Sequence, residues 1–152
     1  MGAALKGAGL LLATAESCTG GWVAQEVTSI AGSSNWFDRG FVTYSNAAKQ
    51  EMLGVKEKTI NTYGAVSEEA AREMAAGALT RSKAGVSVAI TGVAGPGGGS
   101  PAKPVGTVCF AWATGRGTTS ETRRFEGDRE AVRRLSVEHA LQGVLRLLDS
   151  GP

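Results

Sequence analysis

The order of apolar and polar positions divides the chain into alternating strand-like and helix-like segments. After a short, frayed start, Leu10 to Ala15 is a short, nearly continuous apolar run of the kind that fills a buried strand. Thr19-Gly20-Gly21 then opens a stretch in which Trp22, Val23, Val27 and Ile30 recur at helical spacing, ending near Gly32-Ser33-Ser34. Aromatic and β-branched residues from Phe37 to Tyr44 suit a strand, although Arg39-Gly40 interrupts them. Ser45-Asn46 caps a short helix over Ala47 to Leu53, and Lys56 to Asn61 reads as another. Ser67-Glu68-Glu69 begins a longer helix through Arg81, with acids in its first turn and basic residues at its end. Val86 to Thr91 is the clearest buried strand, and the run from Gly92 to Pro101 must be loop. Val105 to Ala113 and Thr118 to Phe125 form a hairpin around Thr114-Gly115-Arg116-Gly117. The last helix, Asp128 to Leu148, starts at an Asp cap and carries Val137, Leu141, Val144 and Leu148 on one face. His139 falls on the flank beside Leu135, Gln142 and Arg146, which assigns it to the surface.

Helices alternating with strands, followed by a late hairpin, predict an α/β protein whose mixed sheet has helices on both faces. At 152 residues, without repeat, linker or low-complexity tail, the chain is expected to be one domain. Sixteen basic against fourteen acidic residues leave a charge of +2, too small to mark a binder of nucleic acid or of an anionic membrane, so an anionic ligand must be held locally. No apolar run approaches the ~18 residues of a membrane span. The N-terminus imitates a signal peptide, with Lys6 before a small apolar stretch and Ala13-Thr14-Ala15 as a cleavage-like site, but glycine dilutes that stretch. Two cysteines, Cys18 and Cys109, are expected as free thiols in a reducing cytoplasm. One histidine and two separated cysteines provide no zinc signature. The 22 glycines are about double the usual ~7%, and their two clusters, Gly20-Gly21 and Gly92 to Gly99, are where a ligand could approach the backbone.

Three places can carry chemistry. In Ala15-Glu16-Ser17-Cys18-Thr19-Gly20-Gly21 a buried strand ends in small and hydroxylic residues directly before a helix. The helix start offers unpaired N–H groups and about half a positive charge, suited to a phosphate, a carboxylate or a developing oxyanion. A plain helix cap by Ser17 or Thr19 accounts for the same residues. Cys18 rivals Ser17 as a nucleophile, because a thiolate is favoured at a helix start, but adjacent side chains on a turn diverge and only one can face a pocket. In Tyr44-Ser45-Asn46-Ala47-Ala48-Lys49 a second strand end runs into a helix. A lysine in a partly dry pocket loses affinity for its proton and can act as general base toward a serine hydroxyl. A solvated lysine beside a half-buried tyrosine is the plainer alternative. The third place is the glycine loop, where Thr91 and the amides from Gly92 through Gly95 to Gly99 face one rim. It matches neither G-x-x-x-x-G-K-[ST] nor G-x-G-x-x-G, so ATP or NAD has no motif behind it. Ser100-Pro101-Ala102-Lys103 fits S-x-x-K only by letter, since Pro101 and Pro104 keep it out of the helix that motif requires. A Ser-His-Asp triad would have to recruit His139.

Taken together, Thr14 to Gly21, Gly40 to Lys49, Gly64-Ala65-Val66-Ser67, Thr91 to Pro96 with Gly98-Gly99, and Lys103 to Val108 resemble in order and spacing the CinA C-terminal-domain family. Gly127-Asp128-Arg129 with Val132-Arg133 is similar to its last block. The resemblance implies a three-layer α/β/α sandwich and, over residues 1–152, an amidohydrolase domain. It also implies the activity best understood in the family, hydrolysis of nicotinamide mononucleotide to nicotinate mononucleotide and ammonia. By the same resemblance Ser17 is the nucleophile, Lys49 its base and Tyr44 an aid to proton handling. Thr19, Gly20, Gly21, Asn46, Thr91, Gly92, Gly95 and Arg129 are then the candidates for holding substrate or oxyanion, with Arg129 and the glycine loop assigned to the phosphate. No metal or cofactor is implied; the partner is a small-molecule nucleotide, and the assembly a homo-oligomer, dimer or larger. The competing expectation is a nucleotide-binding or competence-related interaction module without turnover. The chain departs from the family pattern in starting shortly before Ser17, with room for only part of the helix expected ahead of the first strand. The molybdopterin-binding-like domain of longer relatives is also missing, and no activity of that domain carries over.

Overall fold

Strand β1 (Leu12–Glu16) is buried along its whole length, so it must lie inside a sheet with both faces covered. In the computed structural model, which describes residues 1–152, it pairs in parallel with β2 (Phe37–Val42) on one side and β3 (Val86–Gly92) on the other. The hairpin of β4 (Thr107–Thr114) and β5 (Gly117–Arg124) adds two antiparallel strands, giving the order β2-β1-β3-β4-β5. The helices are α1 (Gly2–Ala8), α2 (Trp22–Thr28), α3 (Asn46–Leu53), α4 (Glu57–Tyr63), α5 (Glu68–Thr80) and α6 (Arg129–Asp149).

Successive strand residues face opposite sides, and the two sides differ in size. Leu12, Val86, Val88, Ile90, Phe110 and Trp112 build one core with Leu5 of α1, Val23 and Val27 of α2, and Val137 and Val144 of α6. On the other side Ala13, Ala15, Ala89, Ala111 and Ala113 meet Ala71, Ala75 and Ala78 of α5, with Leu53 and Ile60 from α3 and α4. Small residues on both surfaces let α5 ride close to the sheet. The same economy seats α3: a methyl group at Gly77 would fall 1.9 Å from the Leu53 carbonyl oxygen, so only glycine admits the end of α3 there. Arg81 fastens it, donating to that carbonyl at 2.9 Å.

The α/β/α architecture and mixed sheet are those expected. Four local readings change. The start of the chain is a helix, α1, held by fully buried Leu5. Helix α2 stops at Thr28 and leaves Ile30 55% exposed between it and the 3-10 turn at Ser33–Asn35, and the chain re-enters the core only at Trp36. Arg39-Gly40 does not break β2: a methyl at Gly40 would meet Thr14 Oγ1 at 2.7 Å and Ala24 Cβ at 3.3 Å, so the glycine makes room for α2. His139 is not on the surface. Its side chain is only 11% exposed, paired with the Glu121 carboxylate and 4.7 Å, centroid to centroid, from Phe110. The aromatic residues of β4 cover a flank that helical angles alone left open.

Candidate active site

The chain leaves β1 for β2 on one side and returns to β3 on the other. Such a reversal opens a crevice beyond the C-terminal ends of the strands, the usual ligand position in open α/β sheets. Ser17 follows β1, Thr91 and Gly92 end β3, and the segment after β2 leads through Tyr44 into α3. A cavity of about 290 Å³ lies there, lined by Ser17, Cys18, Tyr44, Asn46, Lys49, Ala65, Val66, Thr91, Gly92, Ala94 and Arg129. That is at the small end for ligand pockets. A larger cavity of about 560 Å³ lies beside α5 and Lys103, but it contains no buried base or nucleophile pair.

Ser45 starts α3 by accepting a hydrogen bond from the Ala48 N–H at 3.0 Å. Helical side chains lean toward the N-terminus, so Lys49 reaches back over this cap toward β1. It is 1% exposed. Its Nζ lies 2.9 Å from Ser17 Oγ, 3.0 Å from the Thr43 carbonyl and 3.1 Å from the Tyr44 carbonyl. Burial pulls its pKa below the usual 10.5, because the charged form loses its water, an effect that neighbouring Cys18 opposes only in part. A neutral amine has two N–H groups and one lone pair. The two carbonyls take the former, which leaves the lone pair for the Ser17 hydroxyl, an arrangement able to accept a proton from an attacking oxygen.

Cys18 behaves otherwise. It is 8% exposed, and burial pushes its thiol up to about 12, with the Glu16 carboxylate adding to the rise. At neutral pH it is a protonated thiol, not the thiolate expected at a helix start. The reason is chiefly burial. The helix start itself is taken by Glu16, fully buried, whose carboxylate accepts from Thr19 Oγ1 at 2.6 Å and from the N–H groups of Val23 and Ala24 at 2.8 and 3.1 Å. The chain's own carboxylate thus fills the anion position at the start of α2. Thr19, Gly20 and Gly21 accordingly do not line the cavity. Gly20 and Gly21, at φ +59° and +103°, serve the tight turn.

The remaining expected residues divide. Tyr44 is 62% exposed at the mouth and meets Lys49 through its carbonyl, and Asn46 lines the wall. Thr91 Oγ1 donates to the Ala65 carbonyl at 2.9 Å, which ties the end of β3 to the Gly64–Ser67 turn. Gly95 lies in an adjoining cavity that shares Ala94 and Arg129 with the first, and its carbonyl accepts from Arg129 Nη1 at 2.8 Å. Sequence reasoning named neither Glu16 nor the Ala65, Val66 and Ala94 walls as site residues. The signal for Glu16 was an acid at the end of an apolar strand; that for the small apolar walls was their place in the blocks Gly64–Ser67 and Thr91–Pro96. Nowhere do three or more His, Cys, Asp or Glu side chains converge as a metal site would need, and no helix is long and apolar enough to cross a membrane.

Fold and cavity define a class: a three-layer α/β/α protein with a buried lysine and a serine at the switch point of its sheet. The chain belongs to the CinA C-terminal domain family, whose model matches residues 1–148. It is 59% identical over 143 residues to the nicotinamide-nucleotide amidohydrolase PncC of Escherichia coli K12, covering 93% of this chain and 87% of that protein. Among solved structures it is similar to the competence/damage inducible protein CihA of Agrobacterium tumefaciens, with TM-score 0.92 at 48% identity over 95% of this chain and 88% of that one. It also matches the competence damage-inducible protein A of Klebsiella pneumoniae, with TM-score 0.95 at 38% identity over 99% and 93% of the two chains.

Proposed function

We propose that residues 1–152 form one amidohydrolase domain that converts nicotinamide mononucleotide to nicotinate mononucleotide and ammonia through a serine–lysine mechanism. The observation that carries the reading is the buried 2.9 Å contact between Lys49 Nζ and Ser17 Oγ. The substrate class rests on the amidohydrolase relative, 59% identical over most of both chains. Neutral Lys49 takes the hydroxyl proton as Ser17 Oγ attacks the carboxamide carbon. The tetrahedral intermediate collapses with cleavage of the C–N bond, and Lys49 returns the proton to the departing ammonia. Water then attacks the acyl-serine, Lys49 again taking a proton, which it returns to Ser17 Oγ as the ester C–O bond breaks and the carboxylate product leaves. Oxyanion donors belong to the Thr91–Gly92 rim rather than to the Thr19–Gly21 turn. Arg129, with one N–H engaged by Gly95, has further N–H groups for the phosphate, and Tyr44 and Asn46 guide the substrate at the mouth. The reading includes a homo-oligomer, dimer or larger, in the cytoplasm, carried over from the family resemblance and from two free thiols.

Ammonia release from the mononucleotide tests it. Ser17→Ala is expected to lower the rate by on the order of 10³-fold or more. Equal rates in parent and variant would remove Ser17 from the mechanism.

A further inference from the structure

We propose that Arg133 is a positioning residue for Ser17, acting through the turn that carries it; this rests on the reading of Ser17 as nucleophile. Arg133 lies near the start of α6, more than a hundred residues along the chain from that turn. Its Nε donates to the Cys18 carbonyl at 3.1 Å and its Nη2 to the Thr19 carbonyl at 3.3 Å. The guanidinium also lies over the Trp22 ring, 5.4 Å from its centroid. Its charge is directed at these carbonyls, since the ion pairs of α6 are made by Arg134, His139 and Arg146 instead. A planar fork fixes two acceptors relative to each other, which a flexible ammonium does not do.

The two carbonyls gripped are those directly after Ser17. Before it, the backbone is already fixed in β1, and the Ser17 N–H donates to the Ile90 carbonyl at 2.9 Å. Gly20, at φ +59°, brings the turn under the arginine, with its side-chain position 3.6 Å from Nη2. Arg133 thus closes the open end of the frame that aims Ser17 Oγ at Lys49. It does not line the cavity, so its loss should act on the chemical step and leave substrate binding alone.

The test measures kcat and KM for ammonia release from nicotinamide mononucleotide, with melting temperatures, in Arg133→Met, Arg133→Lys, Arg133→Ala and Ser17→Ala. Methionine keeps an apolar stem against Trp22 and removes the fork. Its kcat is expected to fall about 10- to 100-fold with KM changed by less than about twofold. Lysine should fall between methionine and the parent, and guanidinium ion added to Arg133→Ala should restore part of kcat. Should methionine prevent folding, the lysine variant's split between kcat and KM decides. An unchanged kcat, or a loss appearing in KM, overturns the proposal. If Ser17→Ala is inactive while Arg133→Met matches the parent, only this proposal falls. If Ser17→Ala is as active as the parent, the nucleophile reading falls and takes the proposal with it.

Discussion

In the proposed mechanism Lys49 is a base only while neutral, and burial sets the pH at which that holds. Since its pKa is depressed from 10.5, kcat/KM should rise with pH along a limb whose midpoint lies below that value. Lys49→Arg, permanently charged, should abolish activity and the limb together. A midpoint at or above 10.5 would contradict a desolvated lysine. At this scale the sequence picked out candidates without saying which of them share a cavity. Ser17, Tyr44, Asn46, Lys49, Thr91 and Arg129 were all legible as residues at strand ends and helix starts, and all line one cavity. Thr19, Gly20 and Gly21 were equally legible and do not. The deciding residue was Glu16, whose carboxylate occupies the helix start that the motif offered to a ligand. Nothing in residue spacing says whether an acid beside a helix start points into it or away.

Among elements, α3 is the one whose placement the chemistry depends on, because it carries Lys49. Its position is set at the far end, where Leu53 rests on Gly77 of α5. Gly77→Ala forces a methyl into the Leu53 carbonyl, and should cost about 1–3 kcal/mol. For a chain of this length that lowers the melting temperature by roughly 2–4 °C per kcal/mol. As α3 shifts, kcat should fall as well; an unchanged melting temperature would show that α3 does not sit where the glycine lets it. Element types and order were readable because caps and periods mark them: Ser45, Ser67 and Asp128 each cap the helix the pattern assigned to them. The misreadings at Ile30 and His139 share one cause. Each depended on what another element packs against, and a single element's periodicity does not contain that.

For the whole molecule, two buried groups give stability opposite slopes with pH. Cys18 has its pKa raised from 9.0 to about 12, so the unfolded chain loses its proton first and stability falls as pH rises between those values. Lys49 has its pKa lowered, so the unfolded chain holds the extra proton and stability rises with pH up to 10.5. Cys18→Ala isolates the first effect. With Ser17 as the proposed nucleophile it should keep most of its amidase activity, and it should unfold at higher pH than the parent in alkaline titration. An alkaline unfolding midpoint identical in both proteins would mean that the thiol is hydrated.

By itself the sequence determined the alternation of strands and helices, the mixed character of the sheet and the set of polar residues gathered at its edge. These follow from local periodicity and from caps and glycines acting within a few residues. Only the tertiary structure decided which of those residues share a cavity and which side chain is dry. Whether a lysine is a base or a surface charge depends on how much water it loses, and that is fixed by β1, β2 and α3 closing around Nζ from separate parts of the chain.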